Sequence, residues 1–172
     1  MSLKKVFHRI HLLLIPLLLF TNSNVSAQNQ TIDSLRALLQ EHTTIDTLRV
    51  NRLNEIAQEY TAIENEKLMT YAVKADSLSD LVAFQKGKVR SLNLIGLYYW
   101  LVSDYQKALE IHEKALAIAE STHDEHGKSE CFYHIGNVYR EQCDFSKALQ
   151  YYEKSNGIKW RIRRLTGDFN TK

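Results

Sequence analysis

The 172-residue chain has very little that would interrupt a helix. Its only proline is Pro16, and its six glycines form no pair or run. Beyond Pro16, therefore, no strong breaker opposes a mostly helical fold. Charge of one sign is also missing. The formal net charge of +2 falls to −1 without Lys4, Lys5 and Arg9, so the bulk of the chain lacks the global basic excess of a nucleic-acid binder. Downstream of Gln28 there is no apolar run long enough to cross a bilayer, so the mature chain is expected to have no membrane span. Nucleophile elbow, phosphate loop and dinucleotide glycine fingerprint are all absent, and no enzyme and no cofactor are expected. The only cysteines are Cys131 and Cys143. Twelve residues apart along one helix, their Cα atoms would stand about 18 Å apart, too far for a bridge that needs less than about 7 Å.

With 44% apolar and 24% charged residues, the chain is nevertheless an ordinary foldable sequence of one domain's size. Its first 27 residues stand apart. Met1 to Arg9 carries three positive charges and no acid, Ile10 to Phe20 is apolar except for His11, and Val25-Ser26-Ala27 supplies small residues before Gln28. This is the tripartite pattern of a secretory signal peptide. The apolar run would reach only about 16 Å as a helix against a hydrocarbon core of roughly 30 Å, which favours cleavage after Ala27 over a retained anchor. Residues 1–27 are read as a signal peptide and the product as exported, to the periplasm if the source is bacterial, with an uncleaved N-terminal anchor as the alternative.

Comparing the chain with itself is more informative. Ile95-Gly96-Leu97-Tyr98-Tyr99, Asp104-Tyr105-Gln106-Lys107-Ala108-Leu109 and Glu113-Lys114 are followed forty residues later by Ile135-Gly136-Asn137-Val138-Tyr139, Asp144-Phe145-Ser146-Lys147-Ala148-Leu149 and Glu153-Lys154. Gly87, Gly127 and Gly167 keep the same step. A weaker copy lies upstream, with Ile56-Ala57 and Tyr60 standing 39 residues before Ile95-Gly96 and Tyr99, and Glu66-Lys67-Leu68 standing forty before Gln106-Lys107-Ala108, a one-residue slip between its helices. A fixed period in this range signals stacked repeats. Apolar residues recur at helical spacing in both halves of each copy, as in Leu92, Ile95, Tyr99 and in Ala108, Ile111, Ala115, Ile118, so the unit is a helical hairpin. Asp104 and Asp144 stand where the second helix begins and suit its N-cap. Mid-helix Gly96 and Gly136 imply close helix approach, with Ala108 and Ala148 as facing small residues and Tyr99 and Tyr139 beside them.

The order Leu92-x-x-Ile95-Gly96-x-x-Tyr99, then Ala108-x-x-x-His112 and Ala115, with its second copy Phe132-x-x-Ile135-Gly136-x-x-Tyr139 and Ala148-x-x-x-Tyr152, resembles the tetratricopeptide repeat family in an extended form of about forty residues. The chain departs from the family pattern in having Glu120 and Trp160 for the closing proline and Leu92 and Phe132 for the first tryptophan. The resemblance implies an all-α fold, an α-solenoid of three antiparallel helix hairpins. The expected organisation is an N-terminal capping helix over 28–45 and a repeat array over 46–172, with repeats at about 46–83, 84–123 and 124–165. Arrays of this kind behind a signal peptide also resemble the exported sensor segments of some bacterial signalling proteins.

In that family the first helices line a concave face. By register the lining includes Asn54, then Arg90, Asn93, Leu97 and Trp100, then Tyr133, Asn137 and Arg140. Asparagine amides suit a peptide backbone, arginines a carboxylate, and aromatic rings flat apolar contact. The implied function is a non-catalytic adaptor or scaffold for a protein or peptide, and the alternative is a sensor segment without its output domain. Trp160 is expected in core or inter-repeat packing. His123-Asp124-Glu125-His126 lies between repeats without zinc-site spacing, and no metal is assigned to it. Lys159, Arg161, Arg163 and Arg164 read as a solvated helix face rather than a nucleic-acid site. At the front, Ile32, Leu35, Leu38 and Leu39 form the stripe of a capping helix; the last repeat has no equivalent, which leaves it open to a partner or a second copy of the chain.

Overall fold

The computed structural model describes residues 28–166. The expected signal peptide, residues 1–27, and the tail that begins at Gly167 lie outside the described residues. Within them the chain is all-α. Helix α1 spans 28–41 and is followed by α2 (Thr47–Glu59), α3 (Asn65–Leu81), α4 (Gln85–Leu101), α5 (Tyr105–Ser121), α6 (Glu125–Glu141) and α7 (Phe145–Thr166). Helices α2/α3, α4/α5 and α6/α7 pair as antiparallel hairpins and each hairpin packs on the next, which makes an α-solenoid.

A finer period lies beneath the forty-residue repeat. Helices α3 to α6 are each 17 residues long, and each is followed by a three-residue turn. All four turns have the same geometry. The second turn residue is left-handed in each, at Ala83 (φ 53°), Ser103 (63°), His123 (54°) and Cys143 (61°). The third donates its N–H back five residues, Phe84 to Ser79, Asp104 to Tyr99, Asp124 to Ala119 and Asp144 to Tyr139, at 2.8–2.9 Å. This is the Schellman closure, which satisfies carbonyls that the helix end leaves open. The turn inside a hairpin and the turn between hairpins are therefore the same object. The aspartates that end three of these turns begin the next helix: Asp104, Asp124 and Asp144 accept from the N–H of Lys107, Gly127 and Lys147, as Asp46 does from Arg49. The one-residue slip in the first repeat falls where a short 3₁₀ turn, Tyr60–Ala62, replaces this closure.

Packing sets the curvature. Besides their hairpin partners, α2 packs on α4 and α4 on α6, whereas α3, α5 and α7 make no comparable contacts with one another. The first helices thus lie on the inner side of the bend. Gly87 and Gly127 make this approach possible, since a Cβ there would stand 2.6 Å from Val50 and 2.8 Å from Val89 respectively, side chains of the preceding first helix. Gly96 and Gly136 do mark close approach inside hairpins, but the facing group differs from the expected alanines. The His112 ring fills the space at Gly96, and the Tyr152 ring fills it at Gly136 with the Ala148 carbonyl behind. Ala108 and Ala148 are buried alongside, and Tyr139 stacks on Tyr151 at 5.5 Å.

The core runs continuously from Ile32 of α1 through Ile56, Leu68, Val89 and Ile95 to Ala115 and Cys131. On α1, Ile32 is buried and Leu35 and Leu39 pack against this core, while Leu38 is exposed. Trp160 is not in the core: it is 66% exposed, because no helix among the described residues covers the far face of α7. Cys131 is buried and Cys143 exposed, both as free thiols, and burial pushes the Cys131 thiol up to about 12.

Candidate functional site: the inner groove

Three adjoining depressions cross the side lined by α2, α4 and α6. The first, of about 290 Å³, has Asn51, Lys86, Arg90, His126 and Glu130 on its walls. The second, of about 280 Å³, shares Arg90 and Glu130 with it and adds Gln58, Asn93, Tyr133 and His134. Sharing Tyr133, the third, of about 360 Å³, adds Asn137, Arg140, Tyr152, Asn156 and Lys159. Shared walls make one path across all three hairpins.

Of the residues expected to line it, Arg90, Asn93, Tyr133, Asn137 and Arg140 do so. Tyr133 is 45% exposed, and the Lys159 ammonium lies 5.3 Å from its ring. Asn137 accepts the Tyr152 hydroxyl proton at 2.8 Å, which fixes the amide as a presented group. Arg140 is exposed and shares its charge with Glu141 next to it. Leu97 and Trp100 are half-buried and contribute to none of the three depressions, and the Trp100 indole N–H is buried without a partner among the described residues.

Two of the asparagines are structural. Asn54 is fully buried and donates to the Gly87 carbonyl at 3.1 Å, tying α2 to α4. Asn93 is 3% exposed, and its carbonyl oxygen meets His112 Nδ1 at 3.1 Å and the Cys131 thiol at 3.4 Å, tying α4 to α5 and α6. Neither is the exposed peptide clamp that register suggested, because each sits where two first helices close on one another. Asn93 still reaches the floor of the middle depression, where its amide nitrogen has no partner among the described residues.

Groove electrostatics are mixed but lean positive. Arg90 and Lys159 lie beside Glu130, whose carboxyl is held above its usual range because the surrounding walls strip water from it, Arg90 pulling the other way. His134 stacks in parallel on His112 with ring centroids 5.0 Å apart. Burial drives both imidazoles toward the neutral form, His134 down to about 4 and His112 well below its ordinary value, with Lys159 adding to the effect on His134. Register from the first helices alone missed His134, Tyr152, Asn156 and Lys159. The signal for the α7 residues was their place on the second helix of the third repeat, where no further hairpin among the described residues hides them.

Nothing in this geometry resembles a reacting centre. Asp124, at the heart of the His123–His126 run, is used as an N-cap, and among the described residues no group of three or more His, Cys, Asp or Glu side chains is placed to hold a metal.

Residues 88–155 match the family model described as tetratricopeptide repeat. The fold is that of tetratricopeptide-type repeats. Solved structures agree with it at low identity. The TPR domain of Arabidopsis FLU superposes with a TM-score of 0.55 at 21% identity, over 69% of this chain and 95% of that one. The apo form of RapI gives 0.63 at 20% identity over 80% of this chain and 40% of its own length. A putative kinesin light chain of Podosopora anserina with nearly identical TPR-like repeats gives 0.58 at 17%, over 80% and 69%. No curated protein matches the chain. At such identities the likeness carries the tetratricopeptide-like fold alone.

Proposed function

We propose that this protein is a non-catalytic tetratricopeptide-type module that holds an extended peptide segment of a protein partner along its inner groove. The observation that carries this reading is the continuity of the groove: three depressions joined through Arg90, Glu130 and Tyr133, long enough to engage several consecutive residues. Presented along it are the functions an extended chain needs. Asn137 and Asn156 offer amides to a backbone, Tyr133 and Tyr152 offer flat apolar contact, and Arg90, Arg140 and Lys159 favour acidic side chains over basic ones. A rigid scaffold also suits the task, since a preformed groove spares the ordering cost on one side of the interface.

Export completes the proposal. It rests on the basic, apolar and small-residue order of residues 1–27, and it assigns the module to the periplasm or an equivalent compartment, without nucleic-acid partners. Mass spectrometry of the protein recovered from the exported fraction would show an N-terminus at Gln28; a mature chain that retains Met1 would end that part of the reading.

Arg90→Ala with Tyr133→Ala tests the groove. Both side chains reach solvent, so the double variant should keep its helical circular dichroism while recovering at least about tenfold less partner from the exported fraction, as expected when an aromatic and an arginine anchor are both removed. Equal recovery by the variant and the unaltered protein would remove the groove from the function.

A further inference from the structure

The middle depression of the groove differs from its neighbours in how its polar groups are engaged. In the first depression Asp124 is committed to the cap of α6; in the third, Asn137 is bonded to Tyr152 and Arg140 is paired with Glu141. In the middle one, the side chains of Gln58, Arg90 and Glu130 have neither a hydrogen bond nor an ion pair among the described residues. On its floor the amide nitrogen of Asn93, a residue only 3% exposed, is likewise unbonded. Free donors therefore stand beside a free acceptor in a space of about 280 Å³. That is just below the roughly 300–1,000 Å³ of small-molecule sites, so it suits one side chain rather than a separate metabolite.

The walls exclude most side chains. An acid would meet Glu130, and a lysine or arginine would meet Arg90. An apolar side chain would strip water from both charges and from the Gln58 amide and return no bond. A carboxamide carries no charge and offers two donors and an acceptor in one plane. Its NH₂ can donate to Glu130 while its oxygen accepts from Gln58 or Arg90.

Taking the peptide-binding function above as its starting point, we propose that the middle depression is a carboxamide pocket, in which the bound segment places a glutamine or asparagine side chain between Gln58, Arg90 and Glu130. Glu130 sets the preference, because its charge is what distinguishes an amide from a carboxylate of the same shape.

A random heptapeptide library displayed on phage is the probe. Selected on the immobilised protein and counter-selected on the Arg90→Ala, Tyr133→Ala double variant, it should enrich sequences that share a glutamine or asparagine at one position. In a synthetic peptide of that sequence, acetylated and amidated at its ends, replacing the shared amide by the matching acid should weaken binding at least about tenfold. For Glu130→Gln the same replacement should cost little or nothing, and selection on this variant should accept the acid at that position. Glu130 makes no bond within the fold, so the variant should keep its helical circular dichroism, and a change of preference between two peptides reports contact rather than stability. Groove-dependent peptides with no amide in common would overturn the pocket and leave the groove function standing, as would a shared hydroxyl or apolar residue. An amide-to-acid loss of equal size in both proteins would overturn it too. If no enriched peptide depends on Arg90 and Tyr133, the groove function itself fails and the pocket falls with it.

Discussion

At Ala83 the backbone stands at φ 53° with a methyl group attached, in a turn position where glycine is the usual occupant. A left-handed non-glycine residue costs about 1 kcal/mol or somewhat more, and Ala83 is exposed, so its side chain returns little. Ala83→Gly should therefore raise stability by roughly 0.5–1 kcal/mol after the added freedom of the unfolded chain is deducted, seen as a higher denaturation midpoint. The opposite change tests packing. At Gly96 a Cβ would meet the His112 ring at 2.5 Å, and that ring is held by Asn93 on one side and His134 on the other. Gly96→Ala gains about 1 kcal/mol of helix propensity. It should lose more, about 1–3 kcal/mol, to overpacking. Gly157, with nothing within 4 Å of its notional Cβ, is the internal control: alanine there should stabilise by about 1 kcal/mol. If both alanines stabilise, the close approach at Gly96 is not tight.

Among the elements, α1 is held differently from the repeats. Its last carbonyls are taken by Arg49, which donates to Leu39 at 2.9 Å and also to His42, while Gln28 donates to Glu59 at 2.7 Å and Arg52 to Leu38 at 2.6 Å. Arg49→Ala should release α1 first. Amide exchange along 28–41 should accelerate markedly while α4 and α5 keep their protection, and global stability should fall by about 1–3 kcal/mol, the range for charge-assisted bonds at a helix end. Uniform exchange along the whole chain would show that α1 unfolds only with the rest. The apolar stripe of α1 and the caps at Asp104 and Asp144 were legible in the sequence because both depend on neighbours three or four residues away. Asn54, Asn93 and Trp160 were not. Helical period tells which side of a helix a residue occupies, but whether that side is covered depends on the next hairpin. It is covered at Asn54 and Asn93, which lie between first helices, and uncovered at Trp160, where no further helix follows among the described residues. The left-handed turns were hidden for a related reason, since Ala83, Ser103, His123 and Cys143 share a conformation and no common side-chain chemistry.

On the scale of the whole molecule, the second and third hairpins are joined by a polar group in an apolar seam. His112 of α5 lies under Gly96, bonds Asn93 of α4 and stacks on His134 of α6, so one neutral imidazole pair couples three helices of two repeats. Folding lowers the pKa of both rings, through burial first. From the unfolded value of about 6.5 down to about 4, where His134 titrates in the folded chain, the unfolded state binds protons that the native state refuses. The contribution is therefore fully present above pH 6.5 and is lost as pH falls through this window, amounting for His134 to a loss on the order of 3 kcal/mol by pH 4. Carboxylates such as Asp46 and Asp144, lowered by their cap bonds, titrate below most of this range. The histidine effect is separable by comparison with His134→Gln, which keeps a polar side chain but no titration. Denaturant unfolding of both proteins between pH 7 and pH 4 should give a stability that falls steeply for the unaltered protein and distinctly less for the variant. Because the seam lies between repeats, the loss should appear first as separate unfolding of α6 and α7, visible as early exchange of their amides while α2 to α4 remain protected. Parallel pH slopes for the two proteins would show that the imidazole pair takes up its protons without disturbing the junction.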